Sequence, residues 1–278
     1  METKTINWAK SCQNDDGGFG NAPAFSSTMD YTVAGLAVLA EFNSRPDDVK
    51  GCIEWVKSCQ NDDGGFGRTP DDEISYTDYT CSALAALYLL GLYPQKISEC
   101  MGFIKSCEND DGGYARTPGA PSDMDSTASA VSSLNMLGEK PHHPQDAVRY
   151  VGSLRTPWGY RSSACGDANV EYSALALTIL EVCGAGVVDR DLAEFAKSCQ
   201  NDDGGFGELP DRPSNIDYSY SALEILQKAG VKPLEFEKCI EFVNACKNED
   251  GGFGWIPGSP SRVEYTYYGI NCIKYLKI

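Results

Sequence analysis

Five strings in the chain place two acids directly before two glycines. SCQNDDGGFG stands at 11–20, 58–67 and 198–207, SCENDDGGYA at 106–115, and ACKNEDGGFG at 245–254. Adjacent carboxylates of this kind could bind calcium, but the ligand spacing of an EF-hand loop is missing. A tight Gly-Gly turn fits better, its acids accepting backbone hydrogen bonds and its Phe stapling one helix to the next. A second set of acids opens six apolar runs, at Asp30, Asp78, Asp125, Glu171, Asp217 and Glu264, usually followed by Tyr and then by Thr or Ser. An acid there is expected to cap free N–H groups and to offset the positive end of the helix dipole. Arg68 and Arg116 follow their loops at equivalent positions, and Arg161 lies within one residue of that place. The three would form an arc able to clamp an anion. Cys12, Cys59, Cys107, Cys199 and Cys246 share one repeat position, and Cys52, Cys100 and Cys239 share another seven residues earlier. With no CxxC pair, neither a zinc ribbon nor a disulfide scaffold is favoured, and these thiols read as small buried hydrophobes. The two histidines, His142 and His143, lie in a Pro-His-His-Pro connection that reads as a solvated turn.

The elements that hold these residues follow from the repeat. The first loop acids, Asp15, Asp62, Asp110, Asp202 and Glu249, are 47, 48, 92 and 47 residues apart, and 92 is twice 46. A sixth, degenerate unit therefore fills the gap at Leu154–Arg161, keeping Gly159-Tyr160 and losing the acids. Runs such as CSALAALYLL at 81–90 are apolar on nearly all sides and read as inner helices. Asn43, Gly91, Gly138, Gly184 and Gly230 are placed to end the first five. Segments such as GCIEWVKSC at 51–59, just before each loop, have one apolar face and read as outer helices. An all-α fold is expected: a closed α/α toroid (α6/α6 barrel) of six helix pairs spanning 1–278 as one domain. An open solenoid would need polar capping repeats, and none is seen.

Composition narrows the function. Lys plus Arg number 23 and Asp plus Glu 40, so the net charge is −17. That leaves no electrostatic footprint for nucleic acid and no attraction to anionic lipid. At 42% hydrophobic residues the chain is not a disordered acidic tail. No run of about 18 apolar residues exists to insert in a membrane. The opening METKTINWAK is too polar for a secretory signal. A cytoplasmic protein is the expectation.

QNDDGGFG, followed by a Pro-containing loop and a helix opened by D-Y-T/S, resembles the repeat of protein prenyltransferase β subunits and squalene cyclases. The stretch CIEFVNACKNEDGGFGWIPGSPS at 239–261 is most similar to β subunits of the Rab geranylgeranyltransferase type. The resemblance implies the same toroid, an isoprenoid or its diphosphate in a central cavity, and a helical α-subunit partner. It also implies a zinc ion held by Asp, Cys and His. Of these only Asp217 is retained, because Ser219 stands for the Cys and Tyr265 for the His. No metal cofactor is therefore expected. Tyr220 falls where the family has a diphosphate-binding Tyr. With Tyr218, Tyr265 and Tyr267, and with Arg68, Arg116 and Arg161, it makes up the substrate-binding set that the resemblance suggests. Asp123-Met124-Asp125-Ser126-Thr127-Ala128 is similar to the cyclase motif D-x-D-D-T-A, with Ser for the third Asp. There Asp125 would be the general acid, kept protonated by burial beside Asp123. Prenyl transfer, metal-independent cyclisation and a non-catalytic binding or scaffold role all stay open at this point.

Overall fold

The computed structural model describes residues 2–186 and 188–277. Helices in these residues alternate between two layers. The outer layer holds α1 (Glu2–Ser11), α3 (Val49–Ser58), α5 (Ile97–Ser106), α7 (Pro144–Ser153), α9 (Arg190–Ser198) and α11 (Phe236–Ala245). The inner layer holds α2 (Met29–Ala40), α4 (Thr77–Leu89), α6 (Met124–Met136), α8 (Val170–Val182), α10 (Ile216–Lys228) and α12 (Val263–Leu276). Each inner helix packs on the one before and the one after, and α12 packs on α2, so the ring closes. The expected α/α toroid is present.

The loops explain why the motif repeats. Gly17 takes a φ of 93°, and a Cβ on it would lie 2.2 Å from the carbonyl carbon of Gly51 on the next outer helix. Only glycine fits both demands. The second acid of each pair (Asp16, Asp63, Asp111, Asp203, Asp250) accepts from the N–H two residues on at 2.9 Å. It also accepts a serine hydroxyl at 2.7–2.8 Å. The first acid is exposed and accepts no such bond, which corrects the expectation that both acids do. Phe19, Phe66, Tyr114, Phe206 and Phe253 are fully buried as staples. Their N–H groups donate to the hydroxyls of Thr32, Thr80, Thr127, Ser219 and Thr266 at 2.9–3.0 Å. In the degenerate unit Tyr160 donates to Ser173 in the same way, at 3.0 Å. The Thr or Ser after each D-Y pair is thus a joint between loop and helix.

Where the sequence suggests plain loops, short antiparallel ladders form. Tyr114–Ala115 pairs with Ser122–Asp123, and Gly159–Arg161 pairs with both Arg155–Thr156 and Ala168–Asn169. Neighbouring units are joined by one main-chain bond each. Met29, Thr77, Met124, Val170 and Ile216 donate to the carbonyls of Arg68, Arg116, Ser162, Glu208 and Trp255 in the following loop. Val263 donates to Asn21 and completes the circle at 2.8 Å.

Helix ends are set by local chemistry. The side chains of Thr28, Asp123, Asn169 and Asn215 are the N-caps, accepting first-turn N–H groups. The acids at Asp30, Asp125, Glu171 and Asp217 stand two residues further in, so the capping role expected of them belongs to their neighbours. Asn43, Gly91, Gly138, Gly184 and Gly230 all take positive φ, between 51° and 77°, and end the inner helices as expected. All eight repeat-position cysteines are buried. Burial pushes the thiols of Cys12, Cys52 and Cys239 up to about 12, so they are inert core groups.

Candidate functional site

A cavity of about 760 Å³ runs beside α2 from Asp30 at one end to Glu41 at the other. Twelve helical residues span about 18 Å, the depth of the inner layer. Its size falls within the range of about 300–1,000 Å³ usual for small-molecule pockets. Small side chains on α2 and α4, among them Ala34, Ala37, Cys81 and Ala85, leave the space, and Tyr267 and Tyr268 of α12 face it. The third residue after each helix-start acid accounts for this asymmetry. It is Val33, Cys81, Ala128 and Ala174 in four helices, but Tyr220 and Tyr267 in α10 and α12. Tyr220 stacks on Tyr268 and Tyr275 with ring centroids 5.1 and 5.9 Å apart, and Tyr267 lies 6.0 Å from it. One side of the barrel interior is therefore filled by tyrosine and the other is empty.

The helix-start acids gather at the same end of the ring, where burial raises the pKa of most of them and the charge of their neighbours raises several further. Burial and then the nearby Asp217, Asp125 and Glu208 push Glu171 up to about 7. Burial alone pushes Asp217 up to about 6. Asp125 is raised by burial first and by Asp123 second, so the two do interact. Asp123 is itself committed to the helix start, accepting the Ser126 N–H at 2.7 Å and its hydroxyl at 3.0 Å. Glu264 is raised by burial, then by Asp217 and Asp30.

The three arginines are distributed unevenly around this end. Arg116 donates to both oxygens of Asp78, at 3.2 and 3.0 Å. Arg68 lies 3.7 Å from Asp30. Arg161 donates to the Ala164 carbonyl of its own loop at 3.3 Å, and Ser162 takes its expected place against the preceding helix. Tyr220 and Tyr267 meet in the aromatic wall. Tyr218 instead donates to Glu208 at 3.2 Å, and Tyr265 stands at the mouth beside Glu264. Glu171 and Glu264 carry the helix-start motif, whereas Tyr268 and Tyr275 belong to no motif. Their signal was the aligned comparison of inner helices, position by position.

The residues present do not fit zinc. Ser219, in the place of the Cys ligand, is fully buried, accepts the Phe206 N–H at 3.0 Å and donates to the Asn215 carbonyl at 2.6 Å. Tyr265 stands for the His, and no cluster of His, Cys, Asp and Glu suited to a metal occurs among the described residues. His142 and His143 meet each other at 2.8 Å in an exposed connection. No helix among the described residues is long and apolar enough to cross a membrane.

The sequence model for the prenyltransferase alpha-alpha toroid domain matches residues 1–156 and 144–277. No curated protein sequence matches the chain. Among solved structures, a Candida albicans protein geranylgeranyltransferase-I complexed with GGPP is similar, with TM-score 0.65 and 15% identity over 76% of this chain and 71% of that one. A variant of the type II terpene cyclase MstE from Scytonema, in complex with geranylgeranyl dihydroxybenzoate, gives TM-score 0.69 and 11% identity over 99% and 96%. An ent-copalyl diphosphate synthase from Streptomyces platensis gives TM-score 0.53 and 17% identity over 81% and 46%. At these identities the likeness is one of fold.

Proposed function

The chain belongs to the prenyltransferase alpha-alpha toroid domain family, and on that premise we propose that it binds an isoprenoid-type lipid along the axis of its ring. The cavity carries this reading: a deep slot with a small-residue wall on α2 and α4 and a tyrosine wall on α12. A branched hydrocarbon chain buried there gains about 25 cal/mol for each Å² removed from water. The similar structures with GGPP and geranylgeranyl dihydroxybenzoate agree with it. Diphosphate transfer has less support, because Arg68 and Arg116 already serve Asp30 and Asp78. The test is calorimetric titration with geranylgeraniol. Wild type should bind, and Ala37→Trp, which fills the slot, should weaken binding by at least about tenfold. Equal affinity in the two would remove the cavity from consideration.

A second reading adds chemistry, favoured by burial of Asp125 beside Asp123, which raises its pKa. In it Asp125 gives its proton to a terminal alkene carbon. The cation formed is captured by a further alkene, and loss of a proton from carbon returns the balance. Asp125→Asn should then abolish formation of a cyclised isomer, followed by mass-resolved gas chromatography, with Tm nearly unchanged. A large fall in Tm would assign Asp125 to the fold instead.

A further inference from the structure

Every side chain lining the cavity is apolar, aromatic, uncharged polar or acidic; none is Lys, Arg or His. Acids stand at both ends, and the two ends differ. At the base Glu41 pairs with Lys274, so its charge is met. At the mouth Asp30 and Glu264 line the slot together. Asp30 has Arg68 at 3.7 Å and also feels the charge of Arg116, but neither arginine lines the slot. Glu264 forms no ion pair among the described residues, its one side-chain partner being the Asn21 amide nitrogen at 3.5 Å. The amide oxygen of Asn21 is buried there without any donor.

The lining supplies tyrosine and serine hydroxyls as donors but no cationic one to meet these carboxyls. Two carboxyls, Asp30 and Glu264, stand together at the top of a largely apolar slot whose lining includes Tyr267 and Tyr268, and the Asn21 amide behind them contacts Glu264. A buried carboxylate with no cation is costly, and like charges beside it add to the cost. A diphosphate brought to the same place would add negative charge to a corner already short of positive charge. An ammonium group meets each need at once. It supplies N–H donors to Glu264, compensates the carboxylates through charge-assisted hydrogen bonds, and is attracted to the electron-rich ring faces.

We propose that the axial slot selects a lipophilic amine, its ammonium head between Glu264, Asp30 and the tyrosine wall and its hydrocarbon tail along the α2–α4 wall. This rests on the reading of the slot as an isoprenoid site and goes further by assigning the charge of the head group.

Farnesylamine, farnesol and farnesyl diphosphate share one tail and differ only in the head, so titration of the three into the full chain isolates it. A net charge of −17 attracts cations non-specifically, so the binding that counts is the part lost in Ala37→Trp. The amine should bind about tenfold or more tighter than the alcohol, with the diphosphate weakest. Glu264→Gln should bring the amine-to-alcohol ratio close to one. An amine no tighter than the alcohol, or a diphosphate tighter than both, overturns the head-group assignment and leaves the isoprenoid site standing. Dodecylamine separates the two claims from the other side: slot-dependent binding of it, with no farnesyl ligand bound, keeps the ammonium site and removes the isoprenoid. Binding of none of the four overturns both.

Discussion

Tyr150 stands where Trp8, Trp55, Phe103, Phe195 and Phe242 stand in the other five units, and it alone brings a hydroxyl into that layer. The hydroxyl is buried without a partner, and burial pushes it well above the usual tyrosine range. Leaving such a group unmet costs about 1–3 kcal/mol. Tyr150→Phe should therefore stabilise the protein and raise Tm by a few degrees in a thermal melt, and a lower Tm would mean that the hydroxyl is satisfied. Spacing made the role of this position legible, as it did for the cysteines, because core positions recur with the repeat. Partnerships are another matter. The arginine arc was visible as equivalent positions, yet the acid that Arg116 meets is 38 residues back, in the preceding unit. Nothing local in the string announces such a contact. The capping role was misplaced by two residues for a related reason. Asp, Asn and Thr are all competent caps, and only the backbone conformation decides which one is used.

At the scale of elements, the two classes of glycine separate turn chemistry from close packing. Gly64 has φ of 86°, and a Cβ there would lie 2.3 Å from backbone atoms at the start of α5. Gly91, with φ of 77°, ends α4 facing open space. Gly91→Ala should cost about 1 kcal/mol, the penalty for a left-handed alanine. Gly64→Ala should cost several times more, since backbone must move from backbone; urea denaturation of both variants checks the ratio. Helix number, order and ends were readable because periodicity and turn residues are local signals. The two-residue ladders were not, having too few residues for any period to show. The cavity was half-readable. Tyr220 and Tyr267 were marked by resemblance, whereas the small wall at Ala34, Ala37, Cys81 and Ala85 emerges only when the six inner helices are aligned by their acids.

For the whole molecule, acids contributed by separate units are buried at one end of the ring, and Glu171 also feels the charge of Asp217 and Asp125. Glu171 titrates at about 7 in the folded protein against 4.5 ordinarily, and Asp217 at about 6 against 3.8. The native state thus holds these protons more tightly than the unfolded chain. Stability from these groups is full below the ordinary values and is lost as pH rises through about 7. Glu171→Gln should raise Tm at pH 8, leave it unchanged near pH 4, and flatten the slope between. A variant less stable than wild type at pH 8 would contradict the raised pKa of Glu171. The same ring has a consequence for how the chain is threaded. Inner helices pass to the next outer helix through seven or eight residues in five places, as from Ala40 to Val49 and from Leu89 to Ile97. The sixth such join, from α12 to α1, is made without any covalent link, by Val263 to Asn21 and by Thr5 to the Gly251 carbonyl at 2.8 Å. The same main-chain bond recurs at every seam, so a circular permutant that bridges residues 277 and 2 and starts at α3 or α5 should reach the same native state.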